Sequence, residues 1–355
     1  MLTLRGSLSY RSENRVFGGS PERGGRLTWL GEAALQGSAG IHTWVVGGAI
    51  QQDHYGNQDL PAFDYSFVSP GLFLQDEVAI AHRLTLGLSA RIDHHSSYGT
   101  FASPRISLLY KPAEGLTARL SAGTGFFAPT PFVEETEETG FSRLKPLQGL
   151  VAERARSASV DASWRRGRVE VVGTIFGSQV RDPVERKLLP PEQIELANAD
   201  GPVRTWGTEL LASYRVEGLV LLATHNFTRS TEQNPELPGR RDVPLTPRHS
   251  SSLNAIWEGN SWGRLGLEAY YIGRQALEDN PYAETGRGHF LFGALFERRI
   301  GRFRAFINLE NLGDVRQTRW DPLVRPSQAP DGRWTVDAFA PLDGRVINGG
   351  IRLAF

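Results

Sequence analysis

Apolar and polar residues alternate with a period of two along most of this 355-residue chain. Leu84, Leu86, Leu88, Ala90 and Ile92 share one face of an extended segment, and Thr85, Gly87, Ser89, Arg91 and Asp93 share the other. Leu116, Ala118, Leu120 and Ala122 oppose Thr117, Arg119, Ser121 and Gly123 in the same way, and Phe303, Ala305, Ile307 and Leu309 oppose Arg304, Phe306 and Asn308. Successive side chains of a strand point to opposite faces, so each run predicts a strand with one apolar and one polar face. Further runs lie near 2–10, 25–35, 41–53, 71–81, 103–110, 151–164, 168–180, 203–214, 218–229, 249–257, 264–273, 288–299 and 345–355. The expected total is about sixteen strands, many of them roughly the ten residues that a tilted membrane strand needs.

The connections alternate short and long. Gln36 to Gly40, Ala81 to Arg83, Lys111 to Gly115, Arg165 to Gly167, Arg215 to Gly218, Gly259 to Gly263 and Ile300 to Gly301 are short. Arg11 to Gly24, His54 to Pro70, Gly125 to Leu150, Arg181 to Pro202, Ser230 to Pro247, Arg274 to Arg287 and Leu312 to Arg345 are long, with His94 to Ala102 a modest member of that set. Short turns at one rim and long loops at the other are the habit of a transmembrane barrel of the bacterial outer membrane, whereas a sandwich or propeller has no reason to keep this parity. Trp44, Tyr110, Trp164, Trp206, Tyr214, Trp257, Trp262, Tyr270 and Tyr271 stand near strand ends, where interfacial girdles are expected.

Composition narrows the functional classes. Lysine plus arginine and aspartate plus glutamate balance at 39 each, so nothing favours a nucleic-acid partner. Cysteine is absent, which removes disulfides and thiol-based metal or redox sites. No run approaches the 20 or so apolar residues of a transmembrane helix, but alternating barrel strands have modest mean hydropathy in any case. The opening residues, MLTLRGSLSYRSENR, carry no basic stretch followed by an apolar one, so no secretory signal is expected in this chain.

Ordered sequence blocks then point to a family. LQDE at Leu74 to Glu77, the strand end GLSARIDHHS, SPRISLLYKP, GTGFFAPTPF leading into a long loop, RTWGTE at Arg204 to Glu209, LTPRH at Leu245 to His249, YIGRQ at Tyr271 to Gln275, NLENLGDV at Asn308 to Val315 and the terminal RVINGGIRLAF together resemble the barrel of TonB-dependent outer-membrane receptors. The resemblance implies an all-β fold, a transmembrane antiparallel up-and-down barrel, over the whole of 1–355. It also implies a signal peptide, a TonB-binding box, a plug domain and about 22 strands, against which this chain reads as the C-terminal part of the barrel, partial and without a plug. The implied role is uptake of a scarce nutrient such as a ferric siderophore or cobalamin across the outer membrane of a Gram-negative-type bacterium, TonB-coupled in the full-length family and expected here in a truncated form. A passive porin-like channel and a soluble β-rich binding or structural protein are the alternatives. Implied partners are outer-membrane lipid, a small nutrient ligand, TonB only through a plug, and the barrel-assembly machinery, for which the apolar end Ile351, Leu353 and Phe355 resembles the recognised signal.

The chemical motifs are sparse. GTGFFA at Gly123 to Ala128 has the spacing of a dinucleotide fingerprint, but Pro129 and Pro131 follow and forbid the helix that would receive a pyrophosphate. No cofactor is expected. His94 and His95 are adjacent and metal-capable, yet neighbours on a strand diverge, so a solvated loop tip is the simpler expectation. Glu134, Glu135, Glu137 and Glu138 form an acidic run in a long loop; with His94 and His95 they are the candidate outer-loop ligand contacts. His225, Ser230 and Asp242 are the components of a hydrolytic triad with no spacing to single them out, and no enzyme is expected. Arg91, Arg105, Arg119, Glu170, Thr208, Arg304, Asn308 and Glu310 are assigned to the polar faces, where they would line a lumen.

Overall fold

The computed structural model describes residues 1–17, 19–133, 136, 140–189, 193–235, 237–259, 261–329 and 333–353. Their strands are β1 Leu2–Phe17, β2 Ser20–Ala39, β3 His42–Asn57, β4 Tyr65–Ala81, β5 Leu84–His95, β6 Gly99–Ala102, β7 Arg105–Ala113, β8 Leu116–Phe127, β9 Glu153–Arg166, β10 Val169–Arg181, β11 Val184–Leu189, β12 Gln193–Asn198, β13 Val203–Val216, β14 Leu219–Gln233, β15 Arg240–Asp242, β16 His249–Gly259, β17 Gly263–Ile272, β18 Gln275–Ala276, β19 Thr285–Gly286, β20 His289–Ile300, β21 Phe303–Glu310 and β22 Val346–Leu353. Eighteen belong to one antiparallel sheet, while β11 with β12 and β18 with β19 form separate ribbons. With the short β6 and β15 set aside, the sheet strands among the described residues correspond one for one to the runs that the alternation predicts. No helix among the described residues is long and apolar enough to cross a membrane. The backbone divides into two compact units, Met1–Lys111 with Arg119–Ser159 and Ser178–Arg204, and Pro112–Ala118 with Val160–Gly177 and Thr205–Phe355.

In the first unit β1 to β5 pair in sequence order and β7 joins β5. Register puts like with like: Leu2 faces Leu35, Leu35 faces Val46, Val46 faces Leu74, and Leu74 faces Ala90. This apolar face is bare, with Leu4 73% and Leu8 74% exposed and Leu72 72%. So much aliphatic surface in water would be costly, at ~25 cal/mol per Å2; against lipid chains it is at home. The opposite face is polar, carrying Arg5 beside Glu32 and Arg91 beside Asp93. At Gly47 an added Cβ would collide with the Phe73 ring and the Ala33 carbonyl, so the glycine is what lets Phe73 lie across the strand.

Two expected loops are strand instead. The β1–β2 hairpin continues in register to Phe17 opposite Ser20, through residues read from sequence as a long loop, and β3 and β4 likewise run on to Asn57 and from Tyr65. Alternation of polar with polar carries no hydropathy signal, which is why the extensions beyond the apolar band are silent in sequence. The segment read as a loop from Arg181 to Pro202 holds the β11–β12 ribbon.

In the second unit β14, β16, β17, β20, β21 and β22 pair consecutively. Ala223, Leu253, Ala269 and Phe292 make one cross-strand row, and Ala294, Leu309 and Ile347 another. Trp257 and Trp262 meet edge to face at 5.0 Å beside the short turn. Tyr271 lies in an outward row opposite Phe290, but Tyr270 turns to the polar face and donates to Glu268, so it does not join a girdle. Thr208 also departs from expectation: it shares its strand face with Trp206, which is half exposed and meets the Phe227 ring at 5.1 Å on the apolar side. Glu170, Arg304, Asn308 and Glu310 take the polar face as expected, with Arg304 beside Glu297, Asn308 donating to Glu310 and Arg165 donating to Glu170.

The long segment after β21 is ordered around two side chains. Asn311, in the left-handed region at φ 49°, donates to the carbonyls of Val315, Asp343 and Gly344 and accepts from the Val315 N–H. Gln317 is wholly buried; its Oε1 accepts from Phe339 and Ala340 N–H at 2.7 and 3.1 Å and its Nε2 donates to the Asp337 carbonyl. Side-chain amides so fully satisfied hold a loop in one arrangement.

Candidate functional site

The loop-side ends of β2 to β5 bring polar-face residues of the first unit together. Register sets Arg26 opposite Tyr55, Tyr55 opposite Tyr65 and Asp53 opposite Phe67. Arg26 grips Asp53 through two parallel bonds, Nε to Oδ1 at 2.8 Å and Nη2 to Oδ2 at 2.6 Å, and Tyr65 donates its hydroxyl to the same carboxylate at 3.3 Å. The guanidinium lies 5.0 Å from the centre of the Phe132 ring. From Tyr65 a ladder of rings runs along the face: Tyr65 stacks on Phe67 at 4.6 Å, Phe67 meets His95 at 4.8 Å, and His95 meets Tyr98 at 5.1 Å. Tyr98 is tied to the following loop by a 2.9 Å bond to the Pro129 carbonyl.

Above this ladder three long connections share a small core. Tyr55, Phe63, Phe141, Leu144, Ile194 and Leu196 are buried together. Leu144 bridges to Ile194 in parallel, with Lys145 N donating to the Ile194 carbonyl and Ile194 N to that of Arg143, both at 2.8 Å, so the loop adds a short third strand to the β11–β12 ribbon. Glu22, 6% exposed, anchors the loop to β2 by accepting from Phe141 and Ser142 N–H at 2.7 and 3.0 Å. Asn57 and Asp59 do the same for the connection before β4: Asn57 accepts from Asp59 and Leu60 N–H, and Asp59 takes the backbone N–H and the guanidinium of Arg23. That hydrogen-bonded arginine holds the Asp59 carboxyl below the usual range.

Electrostatics make the ladder neutral and hydrogen-bonding. Burial pushes the Tyr65 phenol up, with the Asp53 charge adding to it, and burial alone raises Tyr98. Burial also lowers His95. Its Nδ1 accepts from the Ser97 N–H at 3.2 Å, which puts the ring proton on Nε2. The arrangement can stack on planar rings and donate from the imidazole Nε2, while the two phenols, whose protons go to Asp53 and to the Pro129 carbonyl, can still accept; beside them stands a guanidinium already neutralised by its carboxylate.

The sequence candidates fare unevenly. His95 is part of the ladder, whereas His94 is exposed on the opposite face, bonded to Thr100 Oγ1 at 2.9 Å; the adjacent histidines diverge as strand geometry requires. Among the described residues no group of acidic or histidine side chains is placed to hold a metal ion. Glu134, Glu135, Glu137 and Glu138 lie outside the described residues, as does Phe355. His225 and Ser230 sit on opposite faces of β14, with Ser230 bonded to Thr205 and Asp242 ion-paired to Arg248, so the triad is not assembled. GTGFFA runs through β8 into an irregular segment that holds Pro129 and Pro131. Arg26, Asp53, Tyr65 and Phe67 escaped the sequence reading because no motif links them; the one available signal was aromatic residues on the polar side of an alternation.

A many-stranded antiparallel sheet with a bare apolar face, aromatic rows at strand ends and folded loops on one side defines an outer-membrane β-barrel protein. The chain belongs to the TonB-dependent receptor-like β-barrel family, whose pattern it matches over residues 2–312. It is 26% identical over 216 residues to the iron-regulated outer membrane virulence protein of Vibrio cholerae serotype O1, an alignment covering 54% of this chain and 32% of that protein. Among solved structures it superposes on the FrpB iron transporter of Neisseria meningitidis with a TM-score of 0.75 at 13% identity, covering 99% of this chain and 60% of that one. A ferric enterobactin receptor of Pseudomonas aeruginosa gives a TM-score of 0.76 at 16% identity, with 100% and 59% covered. The chain thus spans about a third of the curated relatives it matches and about three-fifths of these solved chains.

Proposed function

We propose that this chain is the conduit and ligand-capturing part of an outer-membrane receptor for ferric siderophores, coupled to TonB through a plug segment other than the residues described. The observation that carries this reading is the ladder Tyr65, Phe67, His95 and Tyr98, roofed by loops with their own core and placed on the face opposite the lipid-facing stripe. Neutral rings with one imidazole N–H and phenol oxygens that accept suit a planar aromatic iron chelate, and ordered loops reduce the entropy lost on capture. The relatives named for iron regulation, iron transport and ferric enterobactin support the same substrate class. The test is titration of the purified, vesicle-reconstituted chain with a ferric catecholate and a ferric hydroxamate, followed by tryptophan quenching. Saturable quenching that weakens at least several-fold in the Tyr65→Ala, Phe67→Ala double variant is expected. Absence of saturation with either chelate, together with steady single-channel conductance in planar bilayers, would replace the receptor by a porin.

A further inference from the structure

The apolar face of the second unit carries a basic cluster at its loop-side end. The turn Glu217–Gly218 sets Val216 opposite Leu219, and counting along the hairpin places Trp206 opposite Arg229; the 2.8 Å bond between Thr205 and Ser230 Oγ atoms, one step further on the other face, fixes that register. Phe227 faces His249 and His225 faces Ser251 in the next pair, with His225 Nδ1 2.8 Å from Ser251 Oγ. The two imidazoles lie ring to ring at 5.6 Å, and His249 meets Phe227 at 5.1 Å. Alternation puts Arg229, Phe227 and His225 on the face of Leu221 and Ala223, which is the face of Leu253 and Leu267. Arg229, His225 and His249 are all exposed, and Arg229 has no hydrogen bond or ion pair among the described residues.

Position and charge together identify what they meet. From Trp257 beside the short turn to His249 is nine residues inclusive, at the short end of the roughly 9–11 that a tilted membrane strand uses to cross the bilayer. Trp206, Phe227, Tyr271 and Phe290 form the aromatic row at that level. The outward positions of β14, β16, β17, β20, β21 and β22 contain no aspartate or glutamate; their basic residues are His225, Arg229, His249 and, near the opposite end, Arg298. The nearby Asp242 is taken by Arg248. An unpaired guanidinium flanked by two exposed imidazoles at the end of a lipid-facing stripe fits an anionic headgroup whose acyl chains lie on that stripe.

We infer that Arg229, His225 and His249 form a binding site for the phosphate of a phosphorylated, multiply acylated glycolipid in the outer leaflet. The planar guanidinium would take the phosphate, the imidazoles would donate to phosphate or sugar oxygens, and Leu221, Leu253 and Leu267 would receive the acyl chains. This rests on the outer-membrane reading. In the test the chain is reconstituted in phosphatidylcholine vesicles and its thermal unfolding is followed with increasing bis-phosphorylated lipid A, the same glycolipid without phosphates, phosphatidylglycerol, or inorganic phosphate. A rise in unfolding temperature with the phosphorylated glycolipid alone is expected. Its half-effect concentration should increase about tenfold in Arg229→Gln, the loss of one charge-assisted contact, and in the His225→Gln, His249→Gln double variant, with unfolding in plain phosphatidylcholine unchanged. Arg229→Lys, which keeps the charge, should retain part of the effect and serves in place of the glutamine variant if that fails to fold. Equal stabilisation by the phosphate-free glycolipid, by phosphatidylglycerol or by inorganic phosphate, or full stabilisation of the variants, would overturn the site. Failure to insert into phosphatidylcholine at all would instead overturn the membrane reading on which it stands.

Discussion

At the scale of single residues, two side chains in the capping loops carry testable energetics. Glu22 uses one oxygen to satisfy two loop N–H groups, the buried one of Phe141 and the part-buried one of Ser142. Glu22→Ala orphans both donors and should destabilise the loop by ~1–3 kcal/mol, while Glu22→Gln, which keeps a carbonyl acceptor, should cost less. Amide exchange at Phe141 and Ser142 reads this directly; unchanged protection in the alanine variant would refute the anchor. His95 is held neutral by burial, so its native value lies below the ordinary ~6.5. Because the native state binds the proton less readily than the unfolded chain, stability is full above the ordinary value and is lost as pH falls through the depressed one. The loop-side aromatic signal should therefore loosen on acidification, and His95→Gln should flatten that acid limb. A histidine NMR titration giving His95 an ordinary or raised value would contradict the assignment.

At the scale of elements, the unexpected feature is that long connections are built as structure. The β11–β12 ribbon buries Ile194 to 1% exposure against Phe141 and Leu144, and the loop from residue 143 hydrogen-bonds to it as a third strand. Ile194→Ala should cost the ribbon ~2–5 kcal/mol of local stability through lost burial and the cavity left behind. The expected readout is faster exchange of the Lys145 amide, whose acceptor is the Ile194 carbonyl, with no change in the strands below. Little of this was legible in sequence. Leu188, Leu189, Ile194 and Leu196 read as scattered apolar residues in a loop, since a two-stranded ribbon becomes stable only when other loops cover it. The sixteen spanning strands were legible because each must keep one face apolar whatever it neighbours.

At the scale of the whole molecule, the sidedness of every strand is the property that membrane residence demands. Leu253 and Ser252 are consecutive, one 55% exposed on the apolar face and the other hydrogen-bonded to Thr224 Oγ1 at 2.8 Å on the polar face. Leu253→Arg should destabilise the bilayer-inserted protein by ~2–4 kcal/mol, whereas Ser252→Arg, directed away from lipid, should cost far less. Urea unfolding in phosphatidylcholine vesicles separates the two, and equal losses would mean that the faces are misassigned. The same sidedness explains why His225 belongs to a lipid contact and not to a hydrolytic triad: Ser230 is five residues away and so on the other side of β14.

The amino-acid order alone determined the strands, their two faces, the alternation of short and long connections and the family, because these are local or periodic properties written into neighbouring residues. The ring ladder, the Arg26 and Asp53 clasp, the shared core under the loops and the outward basic cluster were decided only by tertiary structure. Each joins residues from strands and loops far apart in the chain, and their proximity follows from strand register, which no single segment encodes.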